Sequence, residues 1–254
     1  PQFTSGAYSL LSEGAANAKI PVPFMGDPVG SPLSGVAVGA NGIAVLYYQY
    51  LENGLNNYLI DLKKPVGPDQ VIRGFPSGGV AGGAATTTDG FTVWSFGGDI
   101  GPKLVYRADG MRFGSGPGTS RSDTSYHPQG WVTSLANWSN GGQSVVYVAE
   151  RGKIVQSPND RRLTVESTAE SIDRTTALDG QNGKVLGQIP LSSPVALAVQ
   201  DKILYALHRE SGRFHIKSMA LSNGRIARQW QELFTLAESI QPAGLAVDSH
   251  GRLY

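Results

Sequence analysis

Carboxylates and imidazoles are the groups through which this sequence could do chemistry. It carries 20 Asp and Glu, four His and no Cys. Thiolate metal sites, disulfides and a Cys nucleophile are thereby excluded. The side chains that repeat-equivalent positions single out are Tyr50 and Glu52, then Asp99, then Glu150 and Arg151, then His208, Arg209 and Glu210. Asp27, Asp123 and His127 join them from a second class of connection. Several carboxylates with a histidine can hold a hard divalent cation such as Ca²⁺, or serve as general acid and base. The same residue types also line any solvated loop, so the candidates need a scaffold that brings them together.

The histidines separate by position. His208 and His215 are seven residues apart across a hairpin turn, so a shared Zn²⁺ needs a third ligand from another part of the chain. His250 falls in a tight turn. His127 has Tyr126 and Trp131 near it, which reads as a sugar-stacking platform or as packing. Other signatures are missing. There is no Gly-x-Ser-x-Gly elbow, no His-Glu-x-x-His and no phosphate loop ending in Gly-Lys-Ser/Thr. Asn137-Trp138-Ser139 is a glycosylation acceptor pattern, relevant only to a secreted eukaryotic chain.

The elements that must position these groups follow a repeat. Its clearest copy is Pro242-Ala-Gly-Leu-Ala-Val-Asp-Ser-His-Gly-Arg-Leu-Tyr254: a small residue, an alternating apolar strand, a Gly turn and a second strand. Pro194 to Tyr205 and Pro32 to Val45 repeat it; copies near Ala85 and Ser134 are weaker. Alignment on Gly35, Ala85, Ser134, Ala196 and Gly244 gives steps of 50, 49, 62 and 48 residues. Between the copies lie further strand–turn–strand units with Asp109-Gly110, Asp179-Gly180 and Asn223-Gly224 turns, strong hairpin signals. The long step contains Ser157 to Ser171, a polar, charged, helix-tolerant insertion. Only that region, over Arg162 to Ile172, and Ala227 to Ser239 offer helices, too few for a parallel α/β fold.

Four short strands every ~45–50 residues mark a β-propeller blade. One such sheet cannot bury both faces, so blades must stack around an axis. The innermost strands need small and β-branched residues, which Gly-Val-Ala-Val, Ala-Leu-Ala-Val and Gly-Leu-Ala-Val supply. Composition agrees. With 33 Gly, 15 Pro and 16% charged residues, the chain is turn-rich and no helical bundle; with 40% hydrophobic residues, it is no disordered chain. The expected fold is therefore an all-β propeller of four-stranded antiparallel blades, about five of them represented. The expected blades are residues 31–79, 80–128, 129–191 with the 157–171 insertion, and 192–240. Residues 1–30 form a half blade and 241–254 a partial one. Two completions stay open: the ends close a ring of about five, or the chain is a fragment of a propeller with six or more. The short stub Arg252-Leu253-Tyr254 favours the fragment.

The motif at Pro242 to Tyr254 resembles the NHL-type propeller repeat, and Pro194 to Tyr205 is similar without the turn Gly. That resemblance implies a propeller with a binding face at one end of its axis. It implies no single reaction, since such propellers include lactonases, lyases and non-catalytic scaffolds. Ligands there meet the loops joining second to third strands and those joining one blade to the next. The candidates above occupy those positions.

A net charge of +1 provides no footprint for nucleic acid or an anionic membrane. The longest apolar stretch, Val36 to Tyr48, is interrupted by Gly39, Asn41 and Gly42, so membrane insertion is not expected. Low charge with many Ser, Thr, Gly and Asn suits an exported, periplasmic or cell-surface protein. The chain begins at Pro1 without Met, as expected of a processed or longer protein. The expected function is a non-enzymatic binding or interaction module with a protein or glycan partner. The alternative is a hydrolase or lyase acting on a carbohydrate or lactone at the channel mouth, with Ca²⁺ as its possible cofactor. That alternative requires Glu52, Asp99, Glu150 and His208 to converge.

Overall fold

Period-two alternation of apolar residues, broken by Gly and Asp turns, dictates strands, and strands are what form. The computed structural model describes the strands of residues 33–109 with residues 63 and 64, then 126, 128–156, 163–166, and 171–254 apart from 228 and 243. No helix occurs among the described residues. The first sheet is a meander of β1 (Leu33–Val38), β2 (Ile43–Tyr50), β3 (Gly54–Asp61) and β4 (Val71–Ser77). The second contains β5 (Ala84–Thr86), β6 (Thr92–Gly97) and β7 (Leu104–Asp109).

In the third sheet β8 (Trp131–Asn140) pairs with β9 (Gln143–Arg151). A separate hairpin follows, β10 (Lys153–Gln156) with β11 (Leu163–Glu166). The sheet then resumes with β12 (Arg174–Asp179) on β9 and β13 (Val185–Pro190) on β12. The fourth sheet is the meander β14 (Pro194–Gln200), β15 (Ile203–Glu210), β16 (Arg213–Ala220) and β17 (Gln231–Thr235).

All pairings are antiparallel, and the first strands of consecutive sheets adjoin: β1 meets β5, β5 meets β8, and β8 meets β14. Consecutive meanders stacked through their first strands are the blades of a β-propeller. Three of these four first strands share one irregularity. The register slips between Leu33 and Gly35, between Val132 and Ser134, and between Pro194 and Ala196. A bulge at one place in each of these three strands bends it where the sheets crowd together.

The core lies between sheets. Tyr147 and Ala149 of β9 join Trp138, Leu197, Leu204 and Ala206 between the third and fourth. The alternate residues Val146 and Val148 join Tyr126, Leu135 and Leu178 on the opposite face of the third sheet. Both faces are thus buried, as stacking demands. The Ser134 hydroxyl also accepts from the Leu197 amide at 3.0 Å, tying one inner strand to the next.

Two expectations change. The segment 157–171 was expected to tolerate a helix, yet its Leu163-Thr-Val-Glu166 part pairs residue by residue with Lys153 to Gln156. A partner strand ten residues away outweighs local propensity. Likewise Gln231–Thr235, inside the other helix-like stretch, forms the outer strand β17 against β16.

The final repeat shows what its Asp does. The Asp248 carboxylate accepts from the amides of His250 at 2.8 Å and Arg252 at 2.9 Å, and from the Arg252 guanidinium at 2.6 Å. These bonds close the turn that brings Val247 opposite Leu253. They hold the Asp248 carboxyl well below the usual carboxylate range, the Arg252 amide contributing most.

Candidate functional site

Of the expected site residues, Glu52, Asp99 and His127 lie outside the described residues, as do Asp27 and Asp123. Tyr50 ends β2, opposite Gly54 at the head of β3. Glu150 and Arg151 end β9, and His208 and Arg209 lie near the end of β15. None of these four is in a loop, because the strands run further than turn residues alone suggest. Glu150 pairs with Val132 at the start of β8, and His208 with Pro194 at the start of β14. The two therefore occupy the same end of neighbouring sheets.

They do not face one another. Strand alternation puts Glu150 with Val146 and Val148, on the face of the third sheet that turns away from the fourth. His208 alternates with Leu204 and Ala206, on the face of the fourth sheet that packs against the third. The third sheet stands between them.

Glu150 is wholly buried, and both its oxygens are occupied. Oε1 accepts from the amides of Gln129 at 2.9 Å and Gly130 at 3.4 Å, and from Arg174 Nη2 at 3.4 Å. Oε2 accepts from the Tyr126 hydroxyl, from Arg174 Nε at 2.8 Å and from Thr176 Oγ1 at 3.1 Å. A buried carboxylate is stable only when so compensated. Burial, then the Glu150 charge and hydrogen bond, push the Tyr126 phenol above its ordinary pKa of 10.0. Burial opposes the Arg174 charge, but hydrogen bonding to Glu150 and its charge outweigh that and raise the Arg174 pKa. The cluster fastens the segment entering β8 to β9 and β12, and it leaves no free lone pair for a cation or substrate. Sequence reasoning missed Tyr126 and Arg174 as its partners; each is 24 residues from Glu150.

Next to it Asp173 makes a second fastening. Its carboxylate accepts from the Gly152 amide at 2.8 Å and the Ser193 amide at 2.7 Å. Arg151 is half-buried. Arg209 is exposed, with Nε donating to the Gly212 carbonyl at 3.3 Å and the guanidinium 5.6 Å from the Phe214 ring centre.

His208 is also wholly buried. Its Nδ1 lies 3.1 Å from the Ser192 carbonyl oxygen, so Nδ1 carries the proton and Nε2 the lone pair. Nε2 has no hydrogen-bond partner. His215, directly opposite in the ladder, stacks on it with ring centres 5.3 Å apart. His215 Nδ1 meets Glu232 at 2.9 Å, and Lys217 reaches Glu210 at 3.3 Å. Burial first, then the Lys217 charge, hold His208 below its ordinary 6.5 and keep it neutral. The Lys217 hydrogen bond and charge lower the Glu210 carboxyl in turn. Among the described residues, no three His, Asp or Glu side chains are placed to hold a metal ion.

The opposite end of the same two sheets holds a groove of about 450 Å³. Gln143, Asp179, Gln181, Ser222, Asn223 and Arg225 line it. They come from the connections β8–β9, β12–β13 and β16–β17 and the strand ends beside them, with Gln143 opening β9 and Asp179 closing β12, and none was among the expected site positions. The walls are fixed. Asp179 Oδ1 accepts from the Gln181 amide at 2.8 Å and the Asn182 amide at 3.1 Å. The Gly180 amide donates to the Ser144 carbonyl at 2.8 Å. Across the groove, Ser222 and Arg225 close a tight turn whose Asn223 and Gly224 have φ of 51° and 73°. The Tyr147 hydroxyl donates to the Gly224 carbonyl at 2.6 Å, anchoring that turn to the neighbouring sheet.

No protein-family profile matches the chain, and no curated protein matches it in sequence. Solved structures are similar in strand arrangement. Hydrazine synthase of Kuenenia stuttgartiensis matches with a TM-score of 0.40 and 14% identity, over 85% of this chain and 77% of that one. TolB of Acinetobacter baumannii matches at 0.34 and 14%, over 77% of this chain, which spans only 53% of the TolB chain. The Dos1 propeller matches at 0.40 and 9%, over 87% of this chain and 66% of that one.

Proposed function

We propose that this chain is a non-enzymatic binding module: a propeller of NHL type that presents its turns to a protein or glycan partner and belongs to a larger, exported protein. One observation carries the reading. Glu150, the buried carboxylate among the expected acid–base residues, spends both oxygens on six protein donors and is cut off from His208 by a sheet. Its role is to hold blades, and the binding surface then lies in the rigid turns. The NHL character rests on Pro242 to Tyr254, where Asp248 closes the turn. The low charged fraction of 16% accords with export. Among the described residues no helix is long and apolar enough to cross a membrane.

The test is a turnover assay on the whole chain. Lactones, aryl glycosides and uronate polysaccharides, each with and without Ca²⁺, are expected to react no faster than in buffer. Product formation that Glu150→Gln or His208→Asn abolishes, while the fold persists by circular dichroism, would overturn the reading.

A further inference from the structure

The groove between the turns of the third and fourth sheets was not among the positions expected to bind, yet its chemistry is specific. Charge comes first. Asp179 and Arg225 are its charged residues, and they cancel. An anionic ligand selects a net positive site and a cation a net negative one; this groove favours neither. Hydrogen-bonding capacity comes next. Gln143, Gln181 and Asn223 each carry a donor and an acceptor within one side chain, and Ser222 adds a hydroxyl. A lining with donors and acceptors in balance, at zero net charge, matches a ligand whose own groups both donate and accept. Sugar hydroxyls do so at every carbon. The remaining wall includes Leu186, 40% exposed, an aliphatic surface for the C–H face of a pyranose.

Preorganisation is the third observation. Binding that must first order its walls loses affinity. Here the Asp179 turn is tied by its own carboxylate, and the Ser222–Arg225 turn is tied to the other sheet through Tyr147 and Gly224. A volume of about 450 Å³ is of the order of ordinary ligand clefts.

We infer that this groove binds a neutral oligosaccharide, with Arg225, Asp179 and the amides of Gln143, Gln181 and Asn223 contacting its hydroxyls. The inference rests on the binding-module reading and names the ligand class.

The probes are maltohexaose, cellohexaose and chitohexaose, titrated into the whole chain and followed by calorimetry and by NMR of side-chain amides. At least one is expected to bind and to move the amide resonances of Gln143, Gln181 and Asn223. Arg225→Ala is expected to weaken that binding about tenfold, the worth of one charged hydrogen bond. Gln143→Ala, at the exposed first residue of β9, serves as a second variant that leaves the fold intact. Three results would overturn the inference: no binding by any of the three sugars, binding that both variants leave unchanged, or binding of an acidic peptide that the sugars cannot displace. None of these touches the binding-module reading, which fails only on turnover.

Discussion

Tyr147 and Gly224 are 77 residues apart in sequence, and the hydroxyl of one donates to the carbonyl of the other at 2.6 Å. The bond runs from the centre of one sheet to the last inner turn of the next. Tyr147 is wholly buried, which pushes its phenol above the ordinary 10.0. Tyr147→Phe keeps the ring and strands the carbonyl. A loss of about 1–2 kcal/mol is expected, read from urea unfolding.

Gly224 gives a sharper test. It has φ of 73°, and a Cβ there would come within 2.6 Å of Trp138 Cε3 and 2.7 Å of Val145 Cγ2. Gly224→Ala should therefore cost about 2–4 kcal/mol, combining backbone strain with overpacking. Gly251 has nearly the same φ, 75°, and open space around it. Gly251→Ala should cost only about 1 kcal/mol. Equal losses for the two variants in denaturant titrations would contradict the close packing of the turn on Trp138.

Glu150→Gln preserves shape and removes charge. Arg174, the Tyr126 hydroxyl and two backbone amides then face a neutral amide that must itself find acceptors. A loss of about 2–4 kcal/mol is expected. The Tyr126 phenol reports on the same change. It lies above 10.0 from burial and from Glu150, so the variant should lower its titration midpoint without restoring the ordinary value. Ultraviolet titration of tyrosinate in the two proteins measures this.

His208 makes stability depend on pH. Its folded pKa is depressed below the unfolded 6.5, so the unfolded chain binds the proton more readily. The stabilisation is complete above pH 6.5 and shrinks as pH falls from there toward the folded pKa. Groups around it share the field: His215 and Lys217 oppose its protonation, while Glu210 favours it. Thermal unfolding between pH 7 and pH 5 should show a falling midpoint, and His208→Gln should flatten that slope.

Much of the architecture was legible because strand chemistry is local. Pro194 to Gln200 alternates apolar residues into a turn at Asp201, and β14 and β15 meet there. The repeat alignment placed Gly35, Ser134 and Ala196 in equivalent positions, and each immediately follows the register slip of its inner strand. Long-range information was not legible. Nothing local to Glu150 announces Tyr126 or Arg174, and polarity at a strand end reads the same for a solvated group and a buried cross-link. The groove was missed for a different reason. Its amide and hydroxyl residues are ordinary turn formers, and only the stacking of two sheets sets Arg225 opposite Asp179.

The hairpin β10–β11 leaves and re-enters the third sheet at nearly one point. The Ile172 amide donates to the Gly152 carbonyl at 3.1 Å, and Asp173 clasps the Gly152 amide from the same place. β12 then pairs with β9 as though the chain had never departed. The closing of this neck makes the intervening polypeptide a side branch, whose length the sheet does not sense and whose entropic cost grows only logarithmically. Descent with insertion and deletion can therefore lengthen or trim it without touching the ladder, and a foreign domain grafted there would leave the blade unaware of its cargo.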